Sequence, residues 1–175
     1  MKLKNTLTEY GTISKIFHWI SAAVLIIQIP LGMYLVQMDF SEKRLIIENI
    51  HVAVGISIFY LTILRLIYKT FNPTPNLNNS IFPGQRIIAK LNHVFLYISI
   101  LIITISGALK KLYNGEELNM FFFILKIQDN FDLAEIFYEI HILSNYTLIA
   151  LISLHISAVI IHKILFKENL LKKIL

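Results

Sequence analysis

Three histidines, His141, His155 and His162, stand in a stretch with no formal charge from Ile140 to His162. Such a stretch is long enough to cross a bilayer as one helix. Drawn as a helix, the step from His141 to His155 is about 21 Å of rise, and the two positions fall within roughly 40° of one face. One helix therefore offers two imidazoles to the same side, near opposite membrane surfaces. A titratable group inside a membrane is costly and usually functional. The chemistry that fits is metal ligation at two depths, with two cofactors stacked across the bilayer and a partner histidine elsewhere for each.

The elements that must position these rings are apolar helices. The chain has 175 residues, 56% of them hydrophobic, with a mean hydropathy of +0.67. Charge-free runs predict an all-α bundle of four transmembrane helices over about 14–38, 48–69, 89–112 and 137–166, one membrane domain occupying 1–175. The first run, Ile16–Met38, is longer than a typical signal-peptide core and no small-x-small site follows it, so it reads as a retained helix. The segment Phe71–Pro75 through Gly84 is a Pro- and Asn-rich loop. Met120–Ile127 is apolar but too short to span, and should lie in the interface or cap the bundle. Tyr10, Trp19, Tyr34, Tyr68 and Tyr113 fall near helix ends, as an aromatic belt would.

Eleven of the sixteen Lys and Arg residues belong to the side that carries both termini. The positive-inside rule makes that side cytoplasmic, so both ends of the chain are expected inside. The opposite side holds Lys43, Arg44, Lys110, Lys111 and Lys126 together with nine of the eleven acids, a net charge of −4. Cysteine is absent, which removes disulfides, thiolate-held iron–sulfur clusters, covalently attached haem and cysteine nucleophiles. No nucleic-acid partner is expected.

Sorting the six histidines by depth leaves His51 as the only outer partner for His141. Inside, His155 can pair with His18, His93 or His162. His18 is preferred: it lies within an apolar span, whereas His162 adjoins Lys163 and His93 has no outer counterpart on its helix. Paired axial imidazoles from facing helices suit haem b. Zinc would want its ligands at one level, often with carboxylates, and the apolar spans have none. The plainer reading of any single histidine is a helix–helix hydrogen bond; two depth-matched pairs argue against it. The step from His141 to His155 recurs from His18 to Gly32 and from His93 to Gly107, while Gly55 is one turn after His51. These small residues fall where a flat cofactor needs room. Arg65 follows His51 by that same step, so it should face the bundle near the inner level and partner a haem propionate. Bis-histidine iron has no open position, which favours outer-sphere electron transfer over oxygen activation.

These residues carry a resemblance. Ile16-Phe17-His18-Trp19, Asn49-Ile50-His51-Val52-Ala53-Val54-Gly55-Ile56-Ser57 running on to Arg65-Leu66 and Pro73-Thr74-Pro75, Leu91-Asn92-His93 with Tyr97 and Gly107, and His141, Leu154-His155 and His162 are similar to the bacterial cytochrome b561 family over almost the whole chain. The resemblance implies a four-helix inner-membrane protein with two b-type haems held by His18, His51, His141 and His155. It also implies exchange of electrons with ubiquinone, superoxide oxidation at the outer face being the expected activity. Its other implication is a haem-bearing anchor subunit for a quinone-linked dehydrogenase or hydrogenase. A negative outer face is the wrong sign for gathering an anion, unless Lys43, Arg44, Lys110 and Lys111 form a local basic funnel. His162, Arg86 and Lys90 are the polar residues expected nearest a cytoplasmic quinone.

Overall fold

The computed structural model describes residues 2–75, 84–167 and 169–175. Four helices dominate: α1 (Thr12–Val36), α2 (Glu42–Thr70), α3 (Gln85–Tyr113) and α4 (Phe131–Ile164). All four are long and apolar enough to cross a membrane. The predicted Pro/Asn-rich loop runs over positions 76–83, which lie outside the described residues.

The helices begin earlier than the charge-free runs suggested. α2 starts at Glu42 rather than near 48, α3 at Gln85 rather than 89, and α4 at Phe131 rather than 137. The reason is that apolarity marks lipid depth, whereas hydrogen bonding marks the helix end. Ser41 caps α2 by accepting from the Arg44 amide at 3.2 Å, and Asn130 caps α4 by accepting from the Leu133 amide at 3.1 Å. Glu42 and Asp132 then sit in the first turns, where a negative side chain favours the helix N-terminus. The 34 residues of α4 make a rod of about 50 Å, well beyond the roughly 30 Å of hydrocarbon, and its first turns pack on the end of α3, where Phe137 stacks on Tyr113.

Close backbone packing follows chain order, α1 with α2, α2 with α3, and most extensively α3 with α4. Among the described residues α4 has no comparable approach to α1 or α2. The apolar interior is thin: Ile58, Ile100 and Leu148 form one cluster, and Ile56, Leu112 and Leu118 another. Large apolar side chains such as Ile26, Ile27 and Leu143 point outward, the pattern of a bundle solvated by lipid. Ser57, Thr62, Thr104 and Thr147 each donate to the carbonyl four residues back at 2.8–2.9 Å, so these hydroxyls are satisfied within their own helices.

Between α3 and α4 the chain forms a small hairpin. β1 (Leu118–Asn119) pairs antiparallel with β2 (Ile124–Leu125). Leu118 is fully buried against Ile56 and Leu112. Tyr60 of α2 donates to the Met120 carbonyl at 3.1 Å, and its ring lies against Phe121 and Phe122. The apolar Met120–Ile127 segment thus covers the flank of α2 and α3. At the other end of the bundle the two ends of the chain meet. Trp19 donates to the Ile174 carbonyl at 2.9 Å, and Asn5 ties the N-terminal arm to the Pro73 carbonyl at 3.0 Å.

Candidate functional site

Two imidazole pairs bridge the gaps that α4 leaves. At the level far from the termini, His51 of α2 and His141 of α4 have ring centroids 6.2 Å apart. At the level near the termini, His18 of α1 and His155 of α4 are 6.4 Å apart. Both pairs cross helix faces whose backbones stand apart. Two imidazoles bound to opposite faces of one metal, with metal–nitrogen bonds of about 2 Å, put their ring centres about 6 Å apart. Both spacings fit that arrangement.

The far-level site is the better defined. It opens into a cavity of about 680 Å³ whose walls include His51, His141, Gln28, Gly32, Gly107 and Lys110, within the size range of cofactor sites. The His141 ring is fixed by a hydrogen bond of 2.7 Å from its Nδ1 to the Ile103 carbonyl. That contact makes Nδ1 the protonated nitrogen and leaves the Nε2 lone pair free, as a metal-ligating histidine requires. His51 Nδ1 is buried and has no hydrogen-bond partner among the described residues. The glycines are shaped to these rings. A Cβ on Gly32 would lie 2.8 Å from His51 Cε1, and one on Gly107 would lie 2.9 Å from His141 Cε1. Gly107 therefore serves His141 across the α3–α4 contact, not His93 of its own helix. Gly55 faces Gln28, whose Nε2 would sit 3.6 Å from an added Cβ.

The near level holds a third ring. His93 of α3 lies 5.2 Å from His155. Its spacing to His155 is shorter than that of either bridging pair. Arg65 faces the bundle at this level, with its guanidinium 3.1 Å from His18 Nδ1 and over the Tyr97 ring at 5.5 Å. Lys69 also lies over Tyr97, at 4.9 Å. A guanidinium only donates, so its contact uses the His18 Nδ1 lone pair and puts the ring proton on Nε2. Metal binding at His18 Nε2 needs the opposite tautomer, so ligation there and the Arg65–His18 contact exclude each other.

His162 is buried beside Gln85, whose amide lies 2.9 Å from its ring, away from both bridging pairs. Gln28 was not visible as a functional residue in the sequence. It is a buried amide in α1 that donates to the His51 carbonyl at 2.8 Å. Its one legible signal was being the only amide side chain in the Ile16–Leu35 span.

Two of the four bases that could make a basic funnel on the far face, Lys110 and Lys111, are already paired with acids. Lys110 pairs with Glu48 at 3.1 Å, Lys111 with Glu116, and Lys126 with Glu117 at 3.0 Å. Arg44 donates to the Met38 carbonyl. Glu48, Glu116 and Glu117, which a sequence count could only sum, are placed directly against three of the bases.

Comparison with known proteins gives two findings. A family model described as prokaryotic cytochrome b561 matches residues 9–175. Over 182 aligned positions the chain is 25% identical to cytochrome b561 homolog 2 of Escherichia coli (strain K12), an alignment taking in 100% of this chain and 95% of that relative.

Proposed function

The chain belongs to the prokaryotic cytochrome b561 family, and from that premise we propose that this membrane electron-transfer protein holds two b-type haems, one between His51 and His141 and one between His18 and His155. The observation that carries the reading is the pair of matched ring spacings, 6.2 and 6.4 Å, at two depths. The donor set fits: neutral imidazoles suit iron, His141 has its second-shell acceptor, and the far-level cavity is already shaped by Gly32 and Gly107. When bound, b-type haem supplies one-electron redox chemistry. The protein supplies axial nitrogens, a dry apolar enclosure, and Arg65, which leaves His18 for a propionate once the ring tautomer changes. Electrons cross between a donor on the far, outer face and ubiquinone, and both termini are cytoplasmic.

Superoxide is the first donor to test. Two superoxide anions would give two dioxygen molecules while one ubiquinone takes up two electrons and two protons. A second reading, an electron-transfer anchor docked to a dehydrogenase or hydrogenase, is favoured by the far face itself. Its Lys110 and Lys111 are neutralised by Glu48 and Glu116, which removes the positive field that would steer an anion. Purified protein mixed with superoxide and a soluble ubiquinone separates the two. Reduction of the haem spectrum by superoxide, followed by quinol formation, supports the first reading. A protein that binds haem and is reduced by dithionite but not by superoxide supports the second.

A further inference from the structure

Gln28 breaks the rule that the hydroxyls in the spans follow. The serine and threonine side chains named above satisfy themselves on their own helices. Gln28 instead reaches across to α2, where its Nε2 donates to the His51 carbonyl at 2.8 Å. The residue is 8% exposed. Among the described residues its Oε1 is buried without a partner, and so is Nδ1 of His51, the residue it already touches. Both residues line the same cavity. An unpartnered buried acceptor and an unpartnered buried ring nitrogen each cost about 1–3 kcal/mol, so their occurrence on one contacting pair calls for a shared explanation.

The packing holds the pair in register. Gln28 and Gly32 are one turn apart on α1, and His51 and Gly55 are one turn apart on α2. An added Cβ at Gly55 would approach Gln28, and one at Gly32 would strike His51. Each large side chain thus occupies the space that the glycine opposite leaves open.

We propose that Gln28 is the positioning residue of His51: its Nε2 fixes the His51 peptide, and its Oε1 accepts the hydrogen bond of the His51 Nδ1 proton through one bridging water. This rests on the reading of His51 as an axial ligand. It gives the far-level ligands unlike supports. His141 leans on a backbone carbonyl, which no side-chain substitution removes. His51 leans on a side chain, so one residue sets the electron donation of its Nε2 to the metal. An acceptor on the outer nitrogen makes the ligand more basic and holds the midpoint potential down.

The test is an optical redox titration of the purified, haem-loaded protein and its Gln28→Met variant, which keeps length and volume. The expected result is two haems per chain in both, with one midpoint moved to higher potential, the other unchanged, and the moved one restored toward the original by Gln28→Glu. Two haems with both midpoints unchanged in Gln28→Met would overturn the proposal while leaving the cofactor reading intact. Wild-type protein that never holds more than one haem would overturn the reading beneath it. Should the variant fail to assemble, ¹⁵N-histidine labelling of the wild type decides. The His51 Nδ1–H signal, assigned by its loss in His51→Ala, is expected at a hydrogen-bonded shift, and a free Nδ1–H would overturn the proposal.

Discussion

Gly107 of α3 stands so close to the His141 ring that a Cβ there would lie 2.9 Å from both Cε1 and Nδ1. The opposing relation is repeated at Gly32 and His51, at 2.8 Å from Cε1. Added bulk at either position must displace an imidazole. Gly107→Val and Gly32→Val are therefore expected to lower the far-level haem content and to cost about 1–3 kcal/mol by overpacking. Gly55→Ala, with only an ordinary 3.6 Å contact to Gln28, is expected to keep both haems. Pyridine haemochrome assay of each variant reads the outcome; full haem in Gly32→Val and Gly107→Val would contradict the assignment.

The two levels predict independent losses. His51→Ala and His141→Ala should each remove one haem and leave the other with an unchanged midpoint. His18→Ala should remove the other. Loss of both haems in every variant would mean that the levels are not separate sites. His155→Ala belongs with His18→Ala, and finding it grouped with His51→Ala would break the pairing.

His93 offers a sharper discrimination. Its ring is 5.2 Å from His155, against 6.4 Å for His18, and only the longer spacing accommodates a metal between the rings. His93→Ala is expected to retain two haems, while His18→Ala retains one. The reverse pattern in the reduced-minus-oxidised spectrum would transfer the ligand role to His93.

Arg65 makes a different prediction. Its contact to His18 Nδ1 is incompatible with ligation through Nε2, so the guanidinium must move when the site is loaded. Arg65→Gln should bind the near-level haem and shift its midpoint downward, because a positive charge beside the site is lost. An unchanged midpoint would show that Arg65 remains remote from the cofactor.

Tyr10, just ahead of α1, predicts an alkaline effect. Burial pushes its phenol above the ordinary value of 10.0, with Tyr97 adding to the rise and Arg65 opposing it. The folded form therefore holds this proton more tightly than the unfolded chain does. The stability it contributes is complete below the ordinary value and is lost as pH rises through the folded one. Tyr10→Phe should flatten the fall in thermal stability above about pH 10, measured by melting in detergent; an unchanged slope would remove Tyr10 as its source.

The histidine ladder was legible because its signal is local. His141 and His155 share a helix, and their spacing along it fixes both depth and face. The apolar spans were legible for the same reason. The helix starts were not, since Glu42 and Asp132 look like loop residues to a measure of apolarity, and only Ser41 and Asn130 announce the caps. The far-face ion pairs were hidden by distance along the chain: Glu48 and Lys110 are 62 residues apart. Gln28 was hidden by chemistry, because a single amide in an apolar run carries no charge to attract notice. The closeness of Gly107 to the His141 ring was not legible, because spacing rules work within one helix and His141 lies on the next.

The arrangement of contacts around α4 bears on how such a protein can be assembled. Each helix packs its backbone closely against its neighbour in the chain, whereas the first and last helices meet through side chains: Val24, Leu25 and Ile29 lie against the cluster that holds Leu148, and His18 lies near His155. The bundle is thus a row of helices rolled shut, with side chains rather than close backbone packing closing the line between first and last. A flat molecule entering along that line would displace side chains but part no pair of closely packed backbones. An assembly order in which the polypeptide enters the membrane first would then need no helix pair to reopen, and a cofactor bound between His18 and His155 would tie the outermost helices together.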